Sequence, residues 1–378
     1  MGWPVPEIPE KPVIPAPRFG LWCIVLAVMI ISGSLLALFI GRFSTYTPVL
    51  FYGALPAFLL WLCIFGVALN RHDQSGASVY FWHEESQETK RQWQQWSRKQ
   101  LAVVGNVLLT PEADGVNPVL GPLSEIPLYP QKARPLWGEK QNVSSRLSII
   151  DTHLEKQAAG YRHHLYTIYV LCSSALNRET IRTSVFNQWQ LVPEFVGSVD
   201  KIKELNFDHP VRGITLILSL QLWPENRPQK FSEIISAQLI CSPGFIDGNR
   251  YSVLTGLGRM MPLSAENLSD DLDILFEYNR LDVNELQHVW LSGDTENMSV
   301  NVSVYAQSRE WQLPVKKPVH YIDLTFGPPG ELAFAVSLGM MVEAARNTLQ
   351  NQLVIYQPSQ ASGWLCLITR ELFHEWRK

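Results

Sequence analysis

Two uncharged runs near the N-terminus constrain this chain more than any other feature: Phe19 to Ile40 (FGLWCIVLAVMIISGSLLALFI) and Val49 to Leu69 (VLFYGALPAFLLWLCIFGVAL). At 22 and 21 residues, each can cross a hydrocarbon core of about 30 Å as a helix. Eight residues separate them, so a membrane hairpin is expected rather than two core helices of a soluble domain. A signal peptide fits the first run poorly, because eighteen residues with six prolines precede it and no small-residue cleavage site follows. Lys11 and Arg18 flank the first run; Arg71, Lys90, Arg91, Arg98 and Lys99 follow the second, and the connecting loop offers only Arg42. Positive residues favour the cytoplasmic side, which predicts a multi-pass membrane protein with both termini cytoplasmic.

The remaining composition excludes several functions. With 31 basic and 35 acidic residues there is no surplus of positive charge for a nucleic-acid surface. Cys23 and Cys63 lie in the apolar runs, and Cys172, Cys241 and Cys366 are scattered, which suits neither a disulfide framework nor a zinc site. No cofactor is expected. His163-His164 has no third metal ligand placed beside it, and the acids of SAENLSDDLDILFEYNRLD (264 to 282) read as support for a helix dipole, with Ser269 as N-cap and Asp271 and Asp273 near its start.

Organisation follows from punctuation and periodicity. Residues 1–18 are proline-rich and read as an extended, unfolded tail, either a stiff spacer or a docking segment. After the hairpin (19–69), residues 70–100 form a juxtamembrane stretch: NRHDQSGAS reads as a polar linker, and Trp82, Trp93 and Trp96 either sit at headgroup level or pack on the following domain. Residues 101–378 form an α/β domain with halves at about 101–250 and 251–378. LAVVGNVLL, YTIYVL, GITLILSLQLW and FSEIISAQLICS are expected strands, though the last is also short enough to be a helix. NRETIRTSVFNQW is a helix with Asn177 as N-cap, and proline-rich 111–145 a surface excursion. In the second half VNVSVYAQ (300–307), HYIDLTF (320–326), NQLVIYQPS and SGWLCLITR read as strands, and ELAFAVSLGMMVEAARNTL as a helix. Each half closes with a strand pair of the same style, so a layered, internally duplicated α/β domain is predicted.

The turn TFGPPGELAFAVSLG (325–339), bracketed by Gly327 and Gly330, lies between a strand-like run and a helix of small residues. It lacks the lysine of a Walker A loop and the GxGxxG of a dinucleotide fold. The order IDLTFGPPGELAFAVSLGMMVEAAR, QLVIYQPS, GWLCLITR resembles the closing segment of the β-ketoacyl synthases in the thiolase-like superfamily, and VVGNVLLTPEADG is similar to that family's opening strand and Thr-Pro turn. The resemblance implies a lysine where Asp323 stands and a catalytic histidine where Pro328 stands, and proline has no group to stabilise an oxyanion. The family's other histidine stretch has LSGDT (291–295) as its nearest match, with His288 three positions early. VLCSSAL (170–176) looks like the nucleophile elbow, with Cys172 between strand and helix, where a helix N-terminus would lower its pKa.

A fold kept without its catalytic groups serves binding. The expected function is a membrane-anchored, non-catalytic scaffold or adaptor for a protein partner, of a design similar to type VI secretion accessory and lipase-adaptor proteins. Two alternatives stand beside it: an acyl-transfer enzyme using Cys172, and a membrane-bound immunity or regulatory protein.

Overall fold

A computed structural model describes residues 2–6, 8–42, 45–121, 132–139, 141–174, 176–197, 207, 212–224, 229–263, 267–328, 330–358 and 363–373. The chain splits into two compact units, Val5–Gln92 and Met1–Pro4 with Trp93–Lys378.

In the first unit, helix α1 (Phe19–Phe39) is followed by a short turn of helix, Tyr46–Val49, a π-helical segment, Leu50–Ala54, and helix α2 (Leu55–Ser97). Both apolar stretches are long and apolar enough to cross a membrane, and only 6% of each apolar window is buried, unlike a soluble core helix. Gly33 and Gly53 bring the two helices together backbone to backbone. A Cβ on either would lie 2.6 Å from the other's carbonyl oxygen, the small-residue contact that apolar helices use in lipid. Trp61 Nε1 donates to the Trp22 carbonyl at 3.0 Å, and Trp61 stacks on Phe65 at 4.9 Å.

Residues 70–78, expected as a polar linker, are helical. No proline interrupts the chain from 57 to 110, so a helix already nucleated in the apolar run propagates at little cost through residues that tolerate it. The tail is not free either. None of its described residues is helical or extended in a sheet, but the Ile14 carbonyl meets His72 Nδ1 at 2.9 Å, Ile14 N donates to Ser75 Oγ at 3.3 Å, and Trp82 Nε1 donates to the Pro9 carbonyl at 2.9 Å.

In the second unit eleven strands form one sheet. They are β1 (Leu101–Leu109), β2 (Leu165–Cys172), β3 (Glu194–Phe195), β4 (Ile214–Gln221), β5 (Ile234–Cys241), β6 (Thr255–Leu257), β7 (Met261–Leu263), β8 (His288–Gly293), β9 (His320–Tyr321), β10 (Gln352–Gln357) and β11 (Gly363–Thr369). The order is β3-β2-β4-β5-β1-β6-β11-β10-β8-β9, with β7 on β11. Each half repeats one plan. β2 is parallel to β3 and β4, and β5 is antiparallel to β4 and β1. β8 is likewise parallel to β9 and β10, and β11 antiparallel to β10 and β6. The halves join where β1 pairs antiparallel with β6, Ala102 opposite Gly256. The duplication read from the closing strand pairs is thus a shared topology.

Helices α3 (Val143–Gln157) and α4 (Arg178–Trp189) pack one face of the first half through Leu147, Ile150, Leu154, Ile181 and Val185. Asn177 caps α4, its Oδ1 accepting from Glu179 N at 3.0 Å. Helices α5 (Leu268–Asn279) and α6 (Thr295–Ser308) precede and follow β8 as α3 and α4 do β2. A short helix α7 (Ile322–Phe326) leads to α8 (Ala333–Thr348), whose residues are nearly all buried among strands of both halves. Its small side chains permit this: a Cβ on Gly339 would lie 2.7 Å from the Ser236 Cβ.

Four local expectations are corrected. VNVSVYAQ is helical within α6, because Met298, Val302, Tyr305 and Ala306 form the buried stripe while Val300 and Val304, which gave the alternation, are exposed. Only His320 and Tyr321 of HYIDLTF are strand; Ile322–Phe326 is helix. Asn267, not Ser269, stands at the N-cap of α5, without a side-chain cap bond. Within 111–145, Val116, Val119 and Leu136 are core residues, while 122–131 lie outside the described residues.

Candidate functional site

Three of the stretches singled out by motif converge. Arg134 ties the first two: its guanidinium reaches Glu112 Oε1 of the Thr-Pro turn at 2.5 Å and the Thr325 carbonyl of α7 at 2.6 Å. Gly327 follows with φ 90° and ψ 177°, a conformation left essentially to glycine. A Cβ there would lie 2.5 Å from Ser232 Oγ and 2.7 Å from the Lys132 carbonyl. At Gly330 the nearest atom would be Gln221 Oε1, at 2.4 Å. Pro328 is half-buried between them.

Asp323 and Glu331 flank this turn, and each is committed to a neighbouring chain segment. Asp323 Oδ1 accepts from Ser292 Oγ at 2.8 Å and Oδ2 from Gly293 N at 2.7 Å, closing the end of β8. Burial pushes its carboxyl up to about 6, against the pull of those two bonds. Glu331 accepts from Ser174 N and Ser174 Oγ, both at 3.0 Å, and the backbone bond holds its carboxyl below the usual range.

Ser174 brings in the third stretch. Cys172 is the last residue of β2, half-buried, but α4 begins only at Arg178, so the thiol is not at a helix N-terminus. Burial pushes the thiol up; the Arg178 guanidinium opposes this and Glu331 adds to it. The expected lowering by a helix N-terminus is therefore corrected: desolvation is the largest influence. Arg178 and Arg182 also lie over the Phe195 ring, at 5.8 and 5.6 Å. Arg178, Ser174 and Glu331 were not singled out in the sequence; Glu331 directly after the glycine turn was the available signal.

The histidines gather elsewhere. His288 opens β8, at the end away from Gly293, with its Nδ1 3.0 Å from His320 Nε2. His320 stacks on Trp290 at 4.2 Å between ring centres, and burial pushes its pKa down to about 3. His163 and His164 occupy an exposed turn, the latter edge-on to Phe245 and Tyr251. Among the described residues no three metal-ligating side chains cluster. Trp93 and Trp96 meet edge to face at 5.2 Å, and Arg259 covers Trp96 at 4.2 Å, within the α/β unit; Trp82 lies 41% exposed in the other.

Neither a protein-family model nor a curated protein sequence matches this chain. Solved structures do. A ketosynthase domain of oxazolomycin synthesis from Streptomyces albus JA3453 aligns with TM-score 0.52 at 9% identity, over 72% of this chain and 96% of that one. Ketosynthase twelve of the bacillaene polyketide synthase of Bacillus amyloliquefaciens aligns with TM-score 0.52 at 10% identity, over 73% of this chain and 74% of that one. Likeness at such identity speaks of architecture and not of chemistry. Together with the duplicated strand order it assigns the second unit: this chain carries a mixed α/β domain of thiolase-like fold behind two apolar N-terminal helices.

Proposed function

We propose that this protein is a membrane-anchored, non-catalytic scaffold or adaptor that binds a protein partner at the cytoplasmic face of a bacterial inner membrane. One observation carries the reading: the polar groups around the glycine turn are spent on one another. Asp323 closes the end of β8, and Glu331 holds Ser174. A catalytic site keeps such groups aimed at a substrate; here they tie α7 and the start of α8 to the ends of β8 and β2. The two apolar helices supply the anchor, and the flanking basic residues set the side. The finer assignment, service to a type VI secretion machine, rests on likeness of plan alone: a short N-terminal anchor followed by a thiolase-like body.

The competing reading is acyl transfer through Cys172, favoured by Arg178 beside the thiol. Iodoacetamide kinetics on the detergent-solubilised chain separate the two. The scaffold reading expects Cys172 to react no faster than a free cysteine at the same pH and to form no thioester with acyl donors. Fast alkylation together with a stable acyl-Cys172 adduct would establish the enzyme instead.

A further inference from the structure

The tail expected to be free ends in a buried residue. Trp3 is 5% exposed, its Nε1 donates to the Met260 carbonyl at 3.3 Å, and its ring meets Trp96 edge to face at 5.6 Å. Arg259 lies over the Trp96 ring at 4.2 Å and donates from Nε to the Trp96 carbonyl at 2.7 Å. Next door, a Cβ on Gly2 would lie 2.2 Å from Asp271 Oδ1, so a side chain there would require Asp271 to move. Indole is suited to such a slot, since it combines a large apolar face with one N–H that must be paired when buried.

Within the helical unit the tail is held as well: Ile14 meets His72 and Ser75, and Pro9 meets Trp82. Prolines at 4, 6, 9 and 12 hold the tail extended beforehand, which lowers the entropy lost on docking.

We propose that Trp3 is a built-in ligand of the α/β unit, pinned in the slot of Trp96, Arg259, Met260 and Asp271.

The test is photo-cross-linking of the full chain in membranes, with benzoylphenylalanine in place of Trp3 and, separately, in place of Pro4 so that Trp3 is kept. Mixing isotopically light and heavy copies distinguishes cross-links within a chain from those between chains. The expected products join position 3 or 4 to residues 93–97 or 255–263 of the same chain, in at least tenfold excess over lipid adducts. If both variants give lipid adducts, mostly inter-chain products or none to these segments, the pin does not exist. The result does not bear on Cys172, so the pin and the non-catalytic reading stand or fall separately.

Discussion

His288 and His320 face one another across the β8–β9 edge, Nδ1 to Nε2 at 3.0 Å, with Lys317 close enough to oppose a charge on either. Burial pushes both histidines down, His320 to about 3. A base held below its unfolded value leaves the unfolded chain to take up the proton first. The contribution is therefore complete above about pH 6.5 and drains away as pH falls toward 3. The urea midpoint of the α/β unit is expected to fall over that window, and to fall less in His320→Phe, which keeps the stack on Trp290. An equal acid loss in the variant would place the sensitivity elsewhere.

Asp323 works with the opposite sign. Its folded carboxyl titrates near 6, above the ordinary value, so its ionisation penalises the fold as pH rises through about 6. Asp323→Asn removes that penalty but turns an amide N–H toward one of two donors, Ser292 Oγ or Gly293 N. An unsatisfied buried donor costs about 1–3 kcal/mol, so the variant is expected to be destabilised at pH 5 and less so at pH 8. Chemical denaturation at the two pH values reads the difference.

Gly327 leaves no room for a side chain. Gly327→Ala combines a glycine-only backbone with contacts at 2.5 and 2.7 Å, and a loss of roughly 2–3 kcal/mol or more is expected. Replacing Pro328 by Ala, beside it, is expected to change the midpoint much less. Equal effects at the two positions would show that the turn is not built around the glycine.

Burial raises the pKa of the Cys172 thiol most; Arg178 opposes it and Glu331 adds to it. Glu331→Gln removes an influence that raises its pKa, and Arg178→Met removes one that lowers it. Alkylation of Cys172 at pH 8 is expected to quicken severalfold in the first variant and slow in the second, with the thiolate fraction as the cause. The pH dependence of the rate reports the shift directly.

The apolar hairpin turns on two glycines. Gly33→Ile places a branched side chain where the Gly53 carbonyl would lie 2.6 Å from its Cβ, forcing α1 off its neighbour. Lower thermal stability in detergent and loss of the Trp61 to Trp22 contact are the expected results, the latter visible as a change in indole emission.

Much of this architecture was legible because local pattern and tertiary setting agreed. Both apolar runs are helical, and the helix capped by Asn177 and the closing strand pairs stand as read. Misreadings arose where one pattern fitted two periods. Val300, Val302 and Val304 alternate as a strand would, yet Met298, Val302 and Tyr305 make a helical stripe, and burial chose the second. The site was less legible, since Glu331 and Ser174 are 157 residues apart and meet only when the halves are folded. Trp3 was hidden for a different reason. A tryptophan among prolines looks like an exposed docking motif until its slot is known.

The repeated strand order has a consequence for how such a domain can change. The ladders within and between the halves are made by the strands, and the described residues of segments 173–177 and 327–331 belong to none of them. Gly327 apart, the ladders of the frame make no use of the side chains at its own mouth. A lineage could exchange the other occupants of those loops one at a time, each variant still folding, and arrive at a different trade without ever passing through an unfolded ancestor.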